Sequence, residues 1–279
     1  MSPVPASTLD RIAYGLRVGG LPDDAPLLEC QPGVRWPELR LVHEPLTEPV
    51  RGAGPTATIV PLPGGGELRL DGSTATFLTP EPPTDDALVH PHLAAAAAGR
   101  NRLLGREVLH AGAVVIDGAA WALAGPNQAG KSTLLSTLAT LGLPVLTDDL
   151  LVLEGATAFA GPRCADLRDA SPVAGLPPPR PVRGGERWRV MLPPAPASAP
   201  LTGCLFLRWS DAGYAVETLR AAERVRRLAA LARWRFLPAR ATGLLDLAAL
   251  PAYELRRPRD GDLLEAARAL LAALAARRG

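Results

Sequence analysis

The chain has 279 residues, of which 47% are hydrophobic and 21% charged, with a formal net charge of +2; this length and composition are typical of one large globular domain or two smaller ones. It contains no basic run with interleaved aromatic residues, no stretch of 18 apolar residues and no signal-peptide pattern, which argues against nucleic-acid binding, a membrane span and secretion. The three cysteines, Cys30, Cys164 and Cys204, are far apart in the sequence. They lack metal-ligand spacing, which favours reduced thiols and a cytoplasmic location.

Residues 1–103 are predicted to form a small, mainly β module. Apolar runs separated by Pro and Gly predict short strands at Leu39–His43, Ala57–Val60, Glu67–Leu70 and Thr74–Leu78. Asp71-Gly72 indicates a two-residue turn between the last two of these strands. The Ala-rich run from Pro91 to about Arg100 predicts a helix with the proline in its first turn.

From residue 104 to 279 the pattern becomes α/β, which predicts a second domain. Apolar runs predict strands at Ala113–Ile116, Ala120–Ala124, Val145–Thr147, Leu150–Leu153, Cys204–Trp209, Tyr214–Thr218 and Tyr253–Arg256, with Cys204–Trp209 and Tyr214–Thr218 as a pair. Helices are predicted at Lys131–Leu141, Ala221–Arg235 and Leu263–Arg277, the last opened by a capping box of Asp262 and Glu265. The segment Gly155–Pro200 is rich in Pro, Gly and Arg and predicts long loops around a short strand near Trp188–Leu192.

A phosphate-binding loop is predicted between the second strand of this domain and its first helix. The run Gly125-Pro126-Asn127-Gln128-Ala129-Gly130-Lys131-Ser132-Thr133 matches the pattern G-x-x-x-x-G-K-[ST]. In such a loop, backbone N–H groups at a helix N-terminus surround the phosphates of a nucleotide. Lys131 is expected to bridge the β- and γ-phosphates and Ser132 to place its hydroxyl on Mg²⁺, with Thr133 also in the motif.

Lys131 is the only lysine of the chain; every other one of its 30 basic residues is arginine. A compact ammonium on a flexible stem can follow a phosphate chain, whereas a planar guanidinium cannot occupy the same space. The retention of one lysine at this position is therefore an argument for phosphate binding that is separate from the motif. The alternative is a chance match in a chain rich in Gly and Ala.

Asp148 and Asp149 follow the predicted strand Val145–Thr147. A carboxylate at the end of the strand after the phosphate-loop helix is expected beside Mg²⁺. One carboxylate suffices for the metal, which leaves the second for another task, such as accepting a proton from a substrate hydroxyl. The alternative is that both are turn or cap residues.

His110 precedes the predicted strand hairpin. If Asp117-Gly118 forms a two-residue turn, residues 116 and 119 face each other, and the same register places His110 opposite Gly125. An imidazole there could tune a nearby aspartate or stabilise transferred charge.

The remaining polar residues give weaker signals. His43, His90 and His92 are predicted to serve surface or local packing roles. Asp166 is a possible further metal ligand, with a structural role as the alternative. One of the arginines in the loop region after the aspartates is expected to reach a transferred phosphate, with a solvated role as the alternative for each; the candidates are Arg163, Arg168, Arg183, Arg187 and Arg189.

The run from Leu109 to Val115, the loop Gly125 to Thr133 and Thr147-Asp148-Asp149 together resemble the catalytic domain of the HPr kinase/phosphorylase family, over roughly residues 105–153. The smaller kinases of peptide-tailoring and lasso-peptide pathways are similar as well. The resemblance implies an α/β fold with a P-loop nucleotide-binding core, and a possible homo-oligomer. The Glu-Ile-Arg-Gly-Leu-Gly signature of the bifunctional enzymes is absent, so neither phosphorylase activity nor HPr as the substrate is expected.

The activity that the resemblance implies is transfer of the γ-phosphoryl group of ATP to a serine hydroxyl of a peptide or small protein, with Mg²⁺. It implies Asp148 as the general base with His110 as its partner. It implies Asp149 as a Mg²⁺ ligand, and Lys131 and Ser132 as the nucleotide clamp.

Other functions remain open. A small-molecule hydroxyl kinase would show the same loop and aspartates. A nucleotide-dependent switch or ATPase is a second class, although the chain has neither the Asn-Lys-x-Asp signature of guanine binding nor the Leu-Ser-Gly-Gly motif of transporter ATPases. A binding module that has lost catalysis is a third.

Overall fold

The computed structural model describes residues 10–46, 58–62, 66–169, 180–182, 185–232 and 243–276. These residues form a mixed α/β structure with three sheets. Strands of the N-terminal part are β1 (Arg11–Ala13), β2 (Leu16–Gly19), β3 (Leu28–Glu29), β4 (Glu38–Pro45), β5 (Ile59–Pro61), β6 (Glu67–Asp71) and β7 (Thr74–Thr79), in the sheet order β3-β1-β2-β4-β7-β6-β5. A two-residue turn between the last two of these strands is confirmed, but it is formed by Gly72 and Ser73, because Asp71 pairs with Thr74.

Two helices follow this sheet, and a bend separates them. Helix α1 spans Asp85–Ala87 and α2 spans Leu93–Leu103, so the predicted Ala-rich helix is confirmed with shifted bounds. Between them, His90 has an extended backbone, with φ −157° and ψ 121°. The buried amide of Asn101 in α2 donates to the carbonyl of Tyr14, 3.1 Å away, which ties the helix to the β1–β2 turn.

The second sheet carries most of the C-terminal part. Its strands are β8 (Glu107–Leu109), β9 (Gly112–Ile116), β10 (Ala119–Ala124), β11 (Val145–Thr147), β12 (Leu151–Glu154), β13 (Thr157–Phe159), β17 (Ser198–Trp209), β18 (Ala215–Thr218) and β19 (Ala252–Arg257). The main order is β11-β9-β10-β17-β13-β12-β8, with β19 on β17 and β18 on β19. The predicted hairpin register is confirmed, from Ala119 opposite Ile116 to Leu123 opposite Gly112.

The pairing directions bring several chain segments to one edge of this sheet. Strands β10, β17 and β19 are parallel, so their carboxyl ends lie side by side. Strand β9 is antiparallel to both β10 and β11. Its beginning therefore lies at the edge where β10 and β11 end. The segments after β10, β11, β17 and β19, and the residues before β9, all meet there.

The segment Gly155–Pro200 contains more sheet than predicted. Besides β13, it forms β14 (Cys164–Leu167), β15 (Arg180–Val182) and β16 (Gly185–Met191), in a three-stranded sheet of order β14-β16-β15. The prediction of long loops was wrong because charged residues pair across strands here, as Asp166 opposite Arg189 shows. The pairing of Cys204–Trp209 with Tyr214–Thr218 was also wrong, because β17 and β18 each pair with β19.

The other helices are α3 (Lys131–Thr140), α4 (Ala221–Leu231), α5 (Gly243–Ala249) and α6 (Leu263–Ala275). Helix α5 was not predicted, and residues 233–235 of the predicted Ala221–Arg235 helix lie outside the described residues. The predicted cap at Asp262 is confirmed, since its carboxylate accepts from the Leu264 N–H at 2.8 Å. In the described part of the chain, no helix is long and apolar enough to cross a membrane.

One hydrophobic core joins the two predicted domains. It contains Leu93 and Ala97 of α2 together with Val108, Val152 and Phe159, which lie beyond residue 104. Each of these side chains is buried. The N-terminal module is thus packed directly against the sheet that carries the converging segments. No disulfide bond joins the three cysteines.

Candidate functional site

The predicted phosphate loop follows β10, and α3 begins at Lys131. Gln128 and Gly130 have positive φ angles of 64° and 77°, which turn the chain sharply into the helix. The ammonium of Lys131 lies over the loop and donates to the carbonyls of Gly125 at 3.0 Å and Pro126 at 3.3 Å. This puts the only lysine of the chain at the N-terminus of a helix, where the helix dipole favours anions.

Two residues at the ends of neighbouring strands brace this loop. Arg257 is the last residue of β19. Its guanidinium donates to the carbonyl of Ala129 at 3.1 Å and lies 4.1 Å from the ring centroid of Trp209. The indole of Trp209, where β17 ends, donates to the carbonyl of Gln128 at 3.2 Å. Sequence reasoning missed both residues; their only signal was a position at the end of a predicted strand.

Asp148 lies next to the first turn of α3. The hydroxyl of Ser132 donates to its carboxylate at 3.1 Å. Burial raises the pKa of the Asp148 carboxyl to about 6, and the neighbouring carboxylate of Asp149 acts in the same direction. Within the described residues, no lysine or arginine forms an ion pair with Asp148. The carboxyl is therefore buried beside another anion, and the hydrogen bond from Ser132 and the nearby imidazole of His90 oppose the rise in its pKa only in part.

The residues around Asp148 fit Mg²⁺. A hydroxyl and a carboxylate are oxygen ligands of the kind that this ion prefers, and Mg²⁺ bound with a nucleotide takes few protein ligands because phosphates and water supply the rest. The described residues hold no group of three or more His, Cys, Asp or Glu side chains arranged to bind a metal by themselves.

Asp149 has different neighbours. Its φ of 65° lies in the left-handed region, which turns its side chain away from that of Asp148. The Nδ1 atom of His110 lies 3.0 Å from the Asp149 carboxylate and 3.0 Å from its carbonyl oxygen. The pairing of His110 with Asp148 that the resemblance implied is therefore corrected: the structure pairs His110 with Asp149, and Asp148 with Ser132.

His90 also reaches Asp149, which corrects the prediction that it packs locally. Its Nε2 lies 3.3 Å from the Asp149 carboxylate, and its Nδ1 lies 3.0 Å from that of Asp166. This contact could not be predicted, because His90 and Asp149 are 59 residues apart and no motif connects them. By contrast, His43 contacts the carbonyl of Thr79, and His92 stacks on a phenylalanine ring, so the prediction of local packing is confirmed for these two.

Asp166 is engaged by cationic side chains. Its two carboxylate oxygens accept from Nε and Nη2 of Arg189 at 2.8 and 2.9 Å. Burial opposes its ionisation, but hydrogen bonds from Arg189 and His90 outweigh burial and lower the pKa of Asp166 to about 2. The structure thus places Asp166 in an ion pair, and its possible role as a metal ligand stays a prediction. Arg189 also pairs with Asp86 at 2.9 Å, so its guanidinium is held between two carboxylates.

These side chains line one cavity of about 740 Å³. The predicted site residues that border it are Asn127, Gln128, Gly130, Lys131, Ser132, Thr133, His110, Asp148 and Asp149. Of the candidate arginines, Arg168 and Arg187 also border it, while Arg183 lies outside the described residues. The predicted convergence of an imidazole, an ammonium and two carboxylates is thus present in the geometry.

A second cavity of about 920 Å³ adjoins the first. His110 and Asn127 border both cavities, and Gly125 borders the second. Apolar side chains, among them Phe206 and Leu231, form much of its wall. The loop and His110 therefore separate a polar chamber from a more apolar one.

The chain was compared with protein families, curated proteins and solved structures. No family model matches the chain, and no curated protein matches it. Among solved structures, the HPr(Ser) kinase/phosphatase from Coxiella burnetii is similar with a TM-score of 0.34 and 13% sequence identity, over 62% of this chain and 99% of that chain. A similarity at this level indicates a distant relation at most.

Proposed function

We propose that the protein is an ATP- and Mg²⁺-dependent kinase with a P-loop core, which transfers the γ-phosphoryl group to a hydroxyl, in particular to a serine of a peptide or small protein. The observation that carries the proposal is the convergence on one cavity of Lys131, Ser132, Asp148, Asp149 and His110. Phosphoryl transfer requires a phosphate cradle, charge neutralisation and a group that receives the hydroxyl proton, and these residue types supply all three.

The contacts suggest a role for each residue. Lys131 at the N-terminus of α3 would bind the β- and γ-phosphates, which would replace the loop carbonyls as its partners. Ser132 and Asp148 are the residues that would hold Mg²⁺, which when bound neutralises charge on the phosphate oxygens. Asp149, held by His110, would be the general base. The two aspartates thus exchange the roles that the resemblance implied.

The proposed step is an in-line displacement. The acceptor oxygen forms a bond to the γ-phosphorus while the bond from that phosphorus to the β–γ bridging oxygen breaks. The hydroxyl proton passes to the Asp149 carboxylate, and ADP leaves with the bond electrons. The buried surroundings strengthen these charge interactions because little water competes for them.

The second cavity supports a peptide acceptor over a small metabolite. It shares His110 and Asn127 with the loop cavity, so an acceptor seated there would present a hydroxyl next to the proposed base. Its apolar wall, including Phe206 and Leu231, offers contacts to residues that flank the serine.

The test is transfer of label to serine-containing peptides from ATP labelled at the γ- or the α-phosphate. We expect label in the peptide only from γ-labelled ATP with Mg²⁺ present, and none with Lys131→Ala. Arg226→Ala is the matched control, because this side chain is 80% exposed and lies on the α4 surface. Nucleotide hydrolysis without a labelled product across a broad acceptor panel would instead favour an ATPase or switch, and the lack of nucleotide binding would refute the proposal.

A further inference from the structure

We propose that His90, which the N-terminal module supplies, is a positioning residue that fixes the carboxylate of Asp149 for proton transfer. The inference rests on the proposed function and extends it. It makes the N-terminal module part of the catalytic apparatus.

The first observation is that the two imidazoles contact different oxygens of the Asp149 carboxylate. His110 contacts Oδ1 at 3.0 Å, and His90 contacts Oδ2 at 3.3 Å. Each carboxylate oxygen therefore contacts a ring nitrogen of a different histidine, and together the two contacts restrict rotation of the carboxylate. A proton acceptor must be held within a few tenths of an ångström of its working position, so such restriction matters for rate.

The second observation is that His90 is itself fixed. Its other nitrogen, Nδ1, lies 3.0 Å from Oδ2 of Asp166. Asp166 in turn is held through both oxygens by Arg189. The imidazole thus lies between two carboxylates, and in its doubly protonated form it donates to both.

The third observation is that this arrangement is anchored in the N-terminal module. Arg189 donates to the carboxylate of Asp86 at 2.9 Å and to the carbonyl of Asp86 at 3.0 Å, and its Nη2 lies 3.4 Å from the carbonyl of His90. The bend between α1 and α2 is therefore bound to β16 at the position that presents the His90 ring. The side chain of His90 is only 14% exposed, which leaves it little freedom to adopt another orientation.

The experiment measures kcat, KM and the Kd for ATP in His90→Ala, His90→Gln, Asp166→Asn and the double variant His90→Ala/Asp166→Asn. We expect His90→Ala to lower kcat by about 10- to 100-fold, with the Kd for ATP changed less than about twofold, because the imidazole acts on Asp149, the proposed base. His90→Gln should recover part of kcat, since an amide can still donate to Asp149. The double variant should be no slower than the slower single variant, because both changes break the same connection.

His43→Ala is the matched control, because this histidine lies in the same module and does not border the loop cavity. It should leave kcat unchanged. Wild-type kcat in His90→Ala, a parallel loss of ATP binding, or a double variant whose loss is the product of the two single losses would each overturn the inference.

A readout that needs no turnover separates this inference from the proposed function. In spectra of ¹⁵N-labelled histidine, Asp149→Asn and Asp166→Asn should each shift the His90 ring resonances, and Arg226→Ala should not. Shifts without any phosphoryl transfer in the wild type would refute the function and leave the positioning contact standing. Unmoved resonances would refute the contact whether or not the protein is a kinase.

Discussion

At the scale of single residues, Asp148 and Asp149 are neighbours in sequence but differ in what surrounds them. Asp148 accepts from Ser132 at the start of α3, and Asp149 contacts His110 and His90. The left-handed φ of Asp149 separates their side chains. A pair that looks redundant in the sequence is therefore divided into two chemically distinct positions.

This division gives the first prediction. Asp149→Asn should lower kcat by about 10²- to 10⁴-fold, the usual contribution of a general base, while Mg²⁺-ATP binding persists. Asp148→Asn should instead weaken the Mg²⁺-dependent part of nucleotide binding at least about tenfold, because a ligand oxygen loses its charge. Calorimetric titration with ATP, with and without Mg²⁺, measures both. The reverse pattern would restore the roles that the family resemblance implied.

Gly130 gives the second prediction. Its φ is 77°, and a Cβ atom there would collide with Nη2 of Arg257, which holds the loop. Gly130→Ala should therefore abolish ATP binding by displacing Arg257. Gly118→Ala is the matched control, since its φ is 78° and a Cβ atom would meet nothing within 4 Å. Both variants should lose about 1 kcal/mol of unfolding free energy from the backbone alone. Equal ATP affinity in the two variants would show that the collision is harmless.

The residues that could be predicted from the sequence are those fixed by short-range patterns. Lys131 and Ser132 follow from the loop motif, and Asp148 and Asp149 follow from their position after a strand. His110 follows from the hairpin register. His90 could not be predicted, because only the packing of the N-terminal module brings it to Asp149.

At the scale of elements, strand β14 and its antiparallel pairing with β16 are the main features that the sequence did not indicate, whereas β16 contains most of the short strand predicted near Trp188–Leu192. The surrounding segment Gly155–Pro200 is rich in Pro, Gly and Arg, a composition that resembles a loop. What stabilises the pair is cross-strand chemistry, in which Asp166 lies opposite Arg189. Such pairs depend on register, which composition does not reveal. The β9–β10 register was predictable because Asp117-Gly118 defines its turn.

The third prediction concerns the pH dependence of this strand pair. Because the folded-state pKa of Asp166 is lowered from 3.8 to about 2, its ionised form stabilises the fold above about pH 4. That stabilisation, on the order of 2 kcal/mol, is lost as pH falls from about 4 to 2. Urea unfolding of wild type and Asp166→Asn should give a difference in unfolding free energy that is constant from pH 6 to 5 and shrinks below pH 4. A difference at pH 2.5 as large as the one at pH 5 would contradict it.

At the scale of the whole molecule, the N-terminal module and the α/β part share a core. Val108, Val152 and Phe159 pack in the same cluster as Leu93 and Ala97 of α2. The boundary at residue 103 was predicted from a change in the pattern of apolar, Pro and Gly residues along the sequence. Such a pattern reflects local structure and does not show which buried surfaces face each other.

The fourth prediction follows from this shared core. A fragment of residues 104–279 would expose Val108, Val152 and Phe159, which are at most 4% exposed in the full chain. Removing these contacts costs several kcal/mol, comparable with the whole stability of a domain. The fragment should therefore show no cooperative thermal unfolding by circular dichroism, whereas the full chain should. Cooperative unfolding of the fragment would instead support two independent domains.

The position of Lys131 also gives the protein a built-in chemical reporter. Its ε-amine is the only one in the chain and is 8% exposed at the loop. Among amino groups, an amine-acylating reagent can therefore add only at this side chain and at an α-amino group. Mass spectrometry of peptides from briefly acylated protein should show slower modification of Lys131 when Mg²⁺-ATP is bound, so that occupancy can be read in the unmutated chain without a dye or a tag.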